Sequence, residues 1–122
     1  MPTQGMAVVY IAGPYRGKDA WEVEQNIRRV EETAFLLAAN GFIPLSVHTM
    51  YRFFDRTLTD EFWLEATMEL MRRCDAVLLV GNHRHSEGSV AEVAEANRLG
   101  IRVFETFHAL CLYIQELTYD RS

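Results

Sequence analysis

Four short apolar runs along the chain alternate with segments of helical periodicity. Ala7-Val8-Val9-Tyr10-Ile11-Ala12 is β-rich and stops at Gly13-Pro14, the pattern of a buried strand ending in a loop. Behind it Val23, Ile27, Val30, Ala34 and Leu37 fall on one helical face, with Asp19 as N-cap, Glu22 completing a capping box and Asn40-Gly41 as the stop. Phe42–Val47 reads as a second strand, and Pro44 inside it suggests a sheet edge. A loop from His48 to Leu58 carries Tyr51, Phe53 and Phe54. Thr59 then caps a helix whose Trp63, Ala66, Leu70 and Cys74 share a face.

Asp75-Ala76-Val77-Leu78-Leu79-Val80 is apolar almost throughout, as a central parallel strand is. A polar loop with His83 and His85 leads to a helix expected from about Ser89 to Leu99, closed by Gly100. Ile101–Phe104 is the fourth strand. Thr106 caps a last helix with Phe107, Leu110, Cys111 and Ile114, and the ends, about 1–6 and 118–122, are expected to fray. Strands alternating with amphipathic helices predict βαβ units in one parallel sheet, a single domain over residues 1–122.

Composition narrows the class. Half the residues (49%) are apolar, enough for a core, and 12 Lys/Arg against 17 Asp/Glu leave a net charge of -5. That balance disfavours a nucleic-acid partner, because phosphate backbones reward a basic face. Cys74 and Cys111 lack metal-ligand or disulfide spacing and read as buried free thiols in a reducing compartment. The N-terminal segment lacks a basic, apolar leader, and no run approaches a membrane span, so a cytoplasmic protein with no membrane partner is expected. No histidine pair has ligand spacing with a helical carboxylate, so no metal is expected, and no cofactor either.

Chemistry is expected beyond the C-terminal ends of the strands, where open α/β sheets bind ligands. Two loops qualify. Gly13-Pro14-Tyr15-Arg16-Gly17 has glycines for close backbone approach, a helix start behind it and a guanidinium, features that suit a phosphate or carboxylate; it is neither a Walker A loop nor GxGxxG. Ser86-Glu87-Gly88-Ser89-Val90-Ala91-Glu92 follows the third strand. Its Ser89…Glu92 spacing is a capping box, in which Glu92 would fold back on the Ser89 N–H. The alternative is a carboxylate facing the cleft, kept ionised by the helix dipole and able to attack a sugar anomeric carbon.

These loops carry a resemblance. Val9–Gly17, Cys74-Asp75-Ala76-Val77 and Gly88-Ser89-Val90-Ala91-Glu92 are similar to the corresponding motifs of the nucleoside 2-deoxyribosyltransferase superfamily, and nearest to its small DUF4406-type branch. The similarity runs from about Ala7 to Phe104. It implies a flavodoxin-like, Rossmann-like open parallel sheet in the order 2-1-3-4 with helices on both faces. It implies cleavage or transfer at the N-glycosidic bond of a small nucleoside or nucleotide, with Glu92 as nucleophile at C1′. Tyr10, Gly13, Tyr15, Arg16, Gly17, His48, Thr67, Ser86, Gly88 and Ser89 are the implied substrate-binding positions, and a homo-oligomer is implied as well. Characterised relatives carry an Asp eight residues before the Asp that opens the third strand; here that position is Thr67. This departure gives weight to a second reading, a nucleotide-binding module without turnover. A third, a structural or interaction protein keeping only the fold, has Glu92 and the first loop against it.

Overall fold

The structure, a computed structural model, describes residues 7–54, 57–81 and 87–121, with the backbone alone at 87 and 116–121. Nine elements follow in order: β1 (Val8–Ala12), α1 (Ala20–Ala39), β2 (Ile43–Leu45), α2 (Val47–Tyr51), α3 (Asp60–Arg72), β3 (Ala76–Leu79), α4 (Glu87–Leu99), β4 (Arg102–Phe104) and α5 (Phe107–Arg121). The four strands form one sheet in the order β2-β1-β3-β4, and every neighbouring pair is parallel. The expected α/β architecture and strand order are those found.

The period of two along the central strands divides the interior into two cores. Val9 and Ile11 of β1 join Ala76 and Leu78 of β3 under Val30 and Leu37 of α1 and Leu110 of α5. Tyr10 and Ala12 join Val77 and Leu79 on the opposite face, under Val47 of α2, Met71 of α3 and Ala96 of α4. All eight of these strand residues are at most 6% exposed, as expected of strands covered on both sides.

Local signals place the helices. Asp19 Oδ1 accepts from the Glu22 N–H at 2.9 Å, and Thr59 and Thr106 Oγ1 accept from Phe62 and Ala109 N–H, each at 3.1 Å. The Glu22 carboxylate reaches back to the Lys18 N–H, at 2.9 Å, rather than to that of Asp19, so the capping box is completed one residue early. Gly41, at φ 87°, lets the chain leave α1 in the left-handed conformation that side chains disfavour.

Three expectations need revision. The segment after β2 is not all loop: Val47–Tyr51 forms a short helix that buries Val47 and His48. The deepest residue of α3 is Met71, at 0% exposure, whereas Trp63, Ala66 and Leu70 are only half-buried. Cys111 is half-buried too, on the flank of α5. The backbone of α5 is helical to Arg121, and the expectation for residues 1–6 lies outside the described residues. Among the described residues no helix is long and apolar enough to cross a membrane.

Candidate active site

The C-terminal ends of β1 and β3 meet as neighbours. Val80 N–H donates to Ala12 C=O at 2.9 Å, and a Cβ on Gly13 would lie 2.7 Å from Val80 Cγ2 and 2.9 Å from its carbonyl oxygen. Only glycine fits at this approach, which is the reason for the residue type at the start of the first loop.

Tyr10 points from β1 into the face covered by α3 and α4, and its phenol donates a hydrogen bond to Glu92 Oε2. Glu92 is 8% exposed and Tyr10 1%. Burial pushes the Glu92 carboxyl up to about 7, and the Tyr10 hydrogen bond, which favours the ionised form, opposes that rise. Both forms are therefore present near neutral pH, in place of the fully ionised carboxylate expected from the helix dipole. Burial first, then the Glu92 charge, hold the Tyr10 phenol well above its ordinary value. Thr67, on α3, lies beside the same phenol and favours its ionised form. The single Thr67 hydroxyl proton goes to the Leu64 carbonyl, at 3.1 Å.

The capping-box expectation for α4 is overturned. The helix begins at Glu87, so Ser89 lies in its first turn, 1% exposed, and Glu92 in its second. Glu92 bonds a residue 82 positions away rather than the Ser89 backbone. The dipole acts mainly within the first turn, so desolvation governs this carboxyl instead.

The first loop is pinned from three sides. Asn26 of α1 donates to the Tyr15 and Arg16 carbonyls at 3.1 and 3.2 Å. His48 of α2 donates from Nε2 to the Pro14 carbonyl at 3.1 Å, and its ring meets Tyr15 edge-on at 5.4 Å. His48 is 7% exposed, and burial lowers its pKa against the pull of the Pro14 carbonyl. The residue is a buried neutral anchor, not a solvated loop side chain. Arg16 is exposed and pairs with Asp60 at the start of α3. Gly17 is crowded by Glu22, whose Cβ would lie 2.4 Å from an added Cβ. Gly88 is half-buried in the first turn of α4. The expectation for Ser86 falls outside the described residues, as do those for His83 and His85.

The structure thus brings Tyr10 and Glu92 into a hydrogen-bonded pair with Thr67 beside it, and packs His48 against Pro14 and Tyr15 of the first loop. Asn26 and Asp60 were not anticipated as partners of the first loop. An Asn on the polar side of an amphipathic helix directly behind a glycine loop was the available signal for the first of them. Among the described residues no three His, Cys, Asp or Glu side chains gather as a metal site.

A family model described as a domain of unknown function, DUF7768, matches residues 7–106. This match does not confirm the DUF4406-type branch suggested by the motifs. No curated protein matches. Among solved structures, a 2-deoxyribosyltransferase from the psychrotolerant bacterium Bacillus psychrosaccharolyticus superposes with a TM-score of 0.61, at 18% identity, over 80% of this chain and 69% of that one. At this identity the likeness shows a shared fold.

Proposed function

The chain belongs to the DUF7768 family, a description that names no reaction, and we propose from the site itself that the protein acts on the N-glycosidic bond of a small nucleoside or nucleotide. The observation that carries this reading is the buried Glu92 carboxyl held by the Tyr10 phenol. A carboxylate that is desolvated, yet steadied by one donor, suits attack on an electron-poor sugar carbon. The likeness in fold to a 2-deoxyribosyltransferase supports the same choice of chemistry.

In the proposed reaction the phenol holds Oε2, and Oε1 attacks C1′. The C1′–N bond breaks, its electron pair leaves on the base nitrogen, and that nitrogen takes up a proton. The glycosyl ester on Glu92 is then attacked at C1′ by water or by a second base. The Glu92 carboxylate is released, and the acceptor loses a proton. Tyr15, Arg16, Gly17, Ser86 and Ser89 are proposed to place the substrate, with Thr67 and His48 lining the sugar and base ends. The same reading expects a cytoplasmic homo-oligomer, for which Phe53, at 83% exposure, offers apolar surface.

A second reading, a nucleotide-binding module without turnover, is favoured by one feature: Thr67 stands where the resemblance calls for Asp, and its hydroxyl is directed to the Leu64 carbonyl. One experiment separates the two. Nucleosides and 5′-monophosphates are screened for free-base release with wild type and Glu92→Gln. Release that disappears in Glu92→Gln supports the enzyme. A nucleotide that raises the melting temperature while no base is released supports the binding module.

A further inference from the structure

The outer face of α1 does not carry the composition of a solvated surface. Ile27, Val30 and Leu37 fasten this 20-residue helix to the sheet. On the side turned away from the sheet, Trp21, Arg28, Glu32, Phe35 and Ala39 fall within about 60° of one another around the helix axis. Trp21 is 68% exposed and Phe35 76%, and Leu36 beside them is 42% exposed. Two aromatic rings left in water on one helix stripe mark a surface that another surface covers.

The polar positions between the rings are matched in charge. Arg28 and Glu32 are both exposed and stand one turn apart. Arg28 touches Glu24 only at 3.5 Å, and Glu32 has no ion-pair partner among the described residues. The stripe is symmetric about the point midway between Arg28 and Glu32. An antiparallel copy of α1 laid across that point sets Arg28 against Glu32 of the second copy and Glu32 against its Arg28, two identical ion pairs. The same operation sets Trp21 over Ala39 of the second copy, because the two lie equally far from the midpoint. The small Ala39 leaves room there for the indole, beside the Phe35 ring of that copy. Polar centre and apolar ends thus complement themselves, as an isologous interface requires.

We propose that this face of α1 docks a second copy of this chain, with the two α1 helices antiparallel about a two-fold axis midway between Arg28 and Glu32. The helix is about 30 Å long, so the pair buries roughly 1,000 Å² in all, the small end of specific interfaces. The dimer is therefore one that dissociates on dilution. The proposal gives a surface to the homo-oligomer expected above, for which Phe53 is the other exposed aromatic ring. It stands on α1 alone, so it holds or fails independently of the Glu92 reaction.

The test is sedimentation velocity of the full chain, without substrate, over a concentration series. Wild type passes from monomer to dimer as concentration rises. Trp21→Ser weakens the dimer by at least about tenfold, since two buried rings are lost at once. Arg28→Glu and Glu32→Arg each weaken it by roughly tenfold, because each sets like charges face to face twice. Mixed in equal amounts, these two variants associate with each other nearly as tightly as wild type, each offering the charge that the other lacks. A folding defect in either variant would not be mended by mixing. Phe53→Ser dimerises as wild type. A wild type that stays monomeric, a dimer that survives Trp21→Ser, or a mixture that associates no better than its components overturns the proposal, as does loss of the dimer in Phe53→Ser.

Discussion

Two carboxylates on α4, three residues apart, meet opposite fates. Glu95 sits on the flank facing α3, where Arg98 bonds it at 2.6 and 2.8 Å and Arg72 at 2.8 Å. Those hydrogen bonds, Arg98 first and Arg72 second, pull its pKa down to about 2. Glu92 faces inward, where the neutral Tyr10 phenol donates to it, and burial lifts it to about 7. The helix and the residue type are the same. What differs is whether burial or positive charge dominates the surroundings. The Glu95 cluster ties α3 to α4 through Arg72, which also reaches Glu65 and Glu69 of its own helix at 3.4 and 3.5 Å. Glu92 does the reverse, holding a charge where folding alone would place none, and that pattern points to chemistry.

The comparison breaks most visibly in activity. Glu92→Gln keeps the size and a hydrogen bond to Tyr10 but cannot form the ester, so base release should fall by roughly a thousandfold or more. Glu95→Gln should leave it unchanged. Rates on the substrate found by the screen decide this.

Tyr10→Phe should act through pH. The phenol lowers the Glu92 pKa, so its removal moves the rising limb of the rate profile to more alkaline pH. At pH 7 the rate should drop about fivefold for the first unit of pKa moved and about tenfold for each further unit. An unmoved limb would show that the phenol does not tune the carboxyl.

Stability should also separate the two carboxylates. Glu92 has a folded pKa raised from 4.5 to about 7. Its contribution is therefore fully present below the unfolded value and is lost as pH rises through about 7, a change on the order of 3 kcal/mol. Glu92→Gln lacks that buried charge and should melt above wild type at pH 8, with the two converging near pH 4. Melting curves across this range check it.

Glu95 has the opposite sign. Its lowered pKa gives stability that is present above the unfolded value and is lost as pH falls through about 2. Because Arg98 is exposed and Arg72 half-exposed, Glu95→Gln should lower the melting temperature only slightly, and high salt should erase the difference.

The parts of this molecule that were legible in its sequence are those written locally. β1 and β3 are apolar runs between turn residues, and Asp19, Thr59 and Thr106 cap where their spacing says they should. Strand order followed from the alternation and the family resemblance. α2 escaped notice because five residues are too few to display a helical period. The start of α4 was misplaced because Ser89-Val90-Ala91-Glu92 satisfies a local capping pattern, while the partner that Glu92 actually takes is supplied by Tyr10, 82 residues earlier. Glu92 was singled out by its position, but its pKa depends on burial and on a contact distant in sequence.

The central claim, that Glu92 forms a bond to the sugar, is tested most directly by trapping. Wild type is mixed with a substrate from the screen, quenched with acid during turnover, digested and read by mass spectrometry. The account predicts a glycosyl adduct on the peptide that contains Glu92, located on the Glu92 carboxyl and absent from Glu92→Gln. Base release that proceeds at full rate in Glu92→Gln, or an adduct on any other residue, would contradict it.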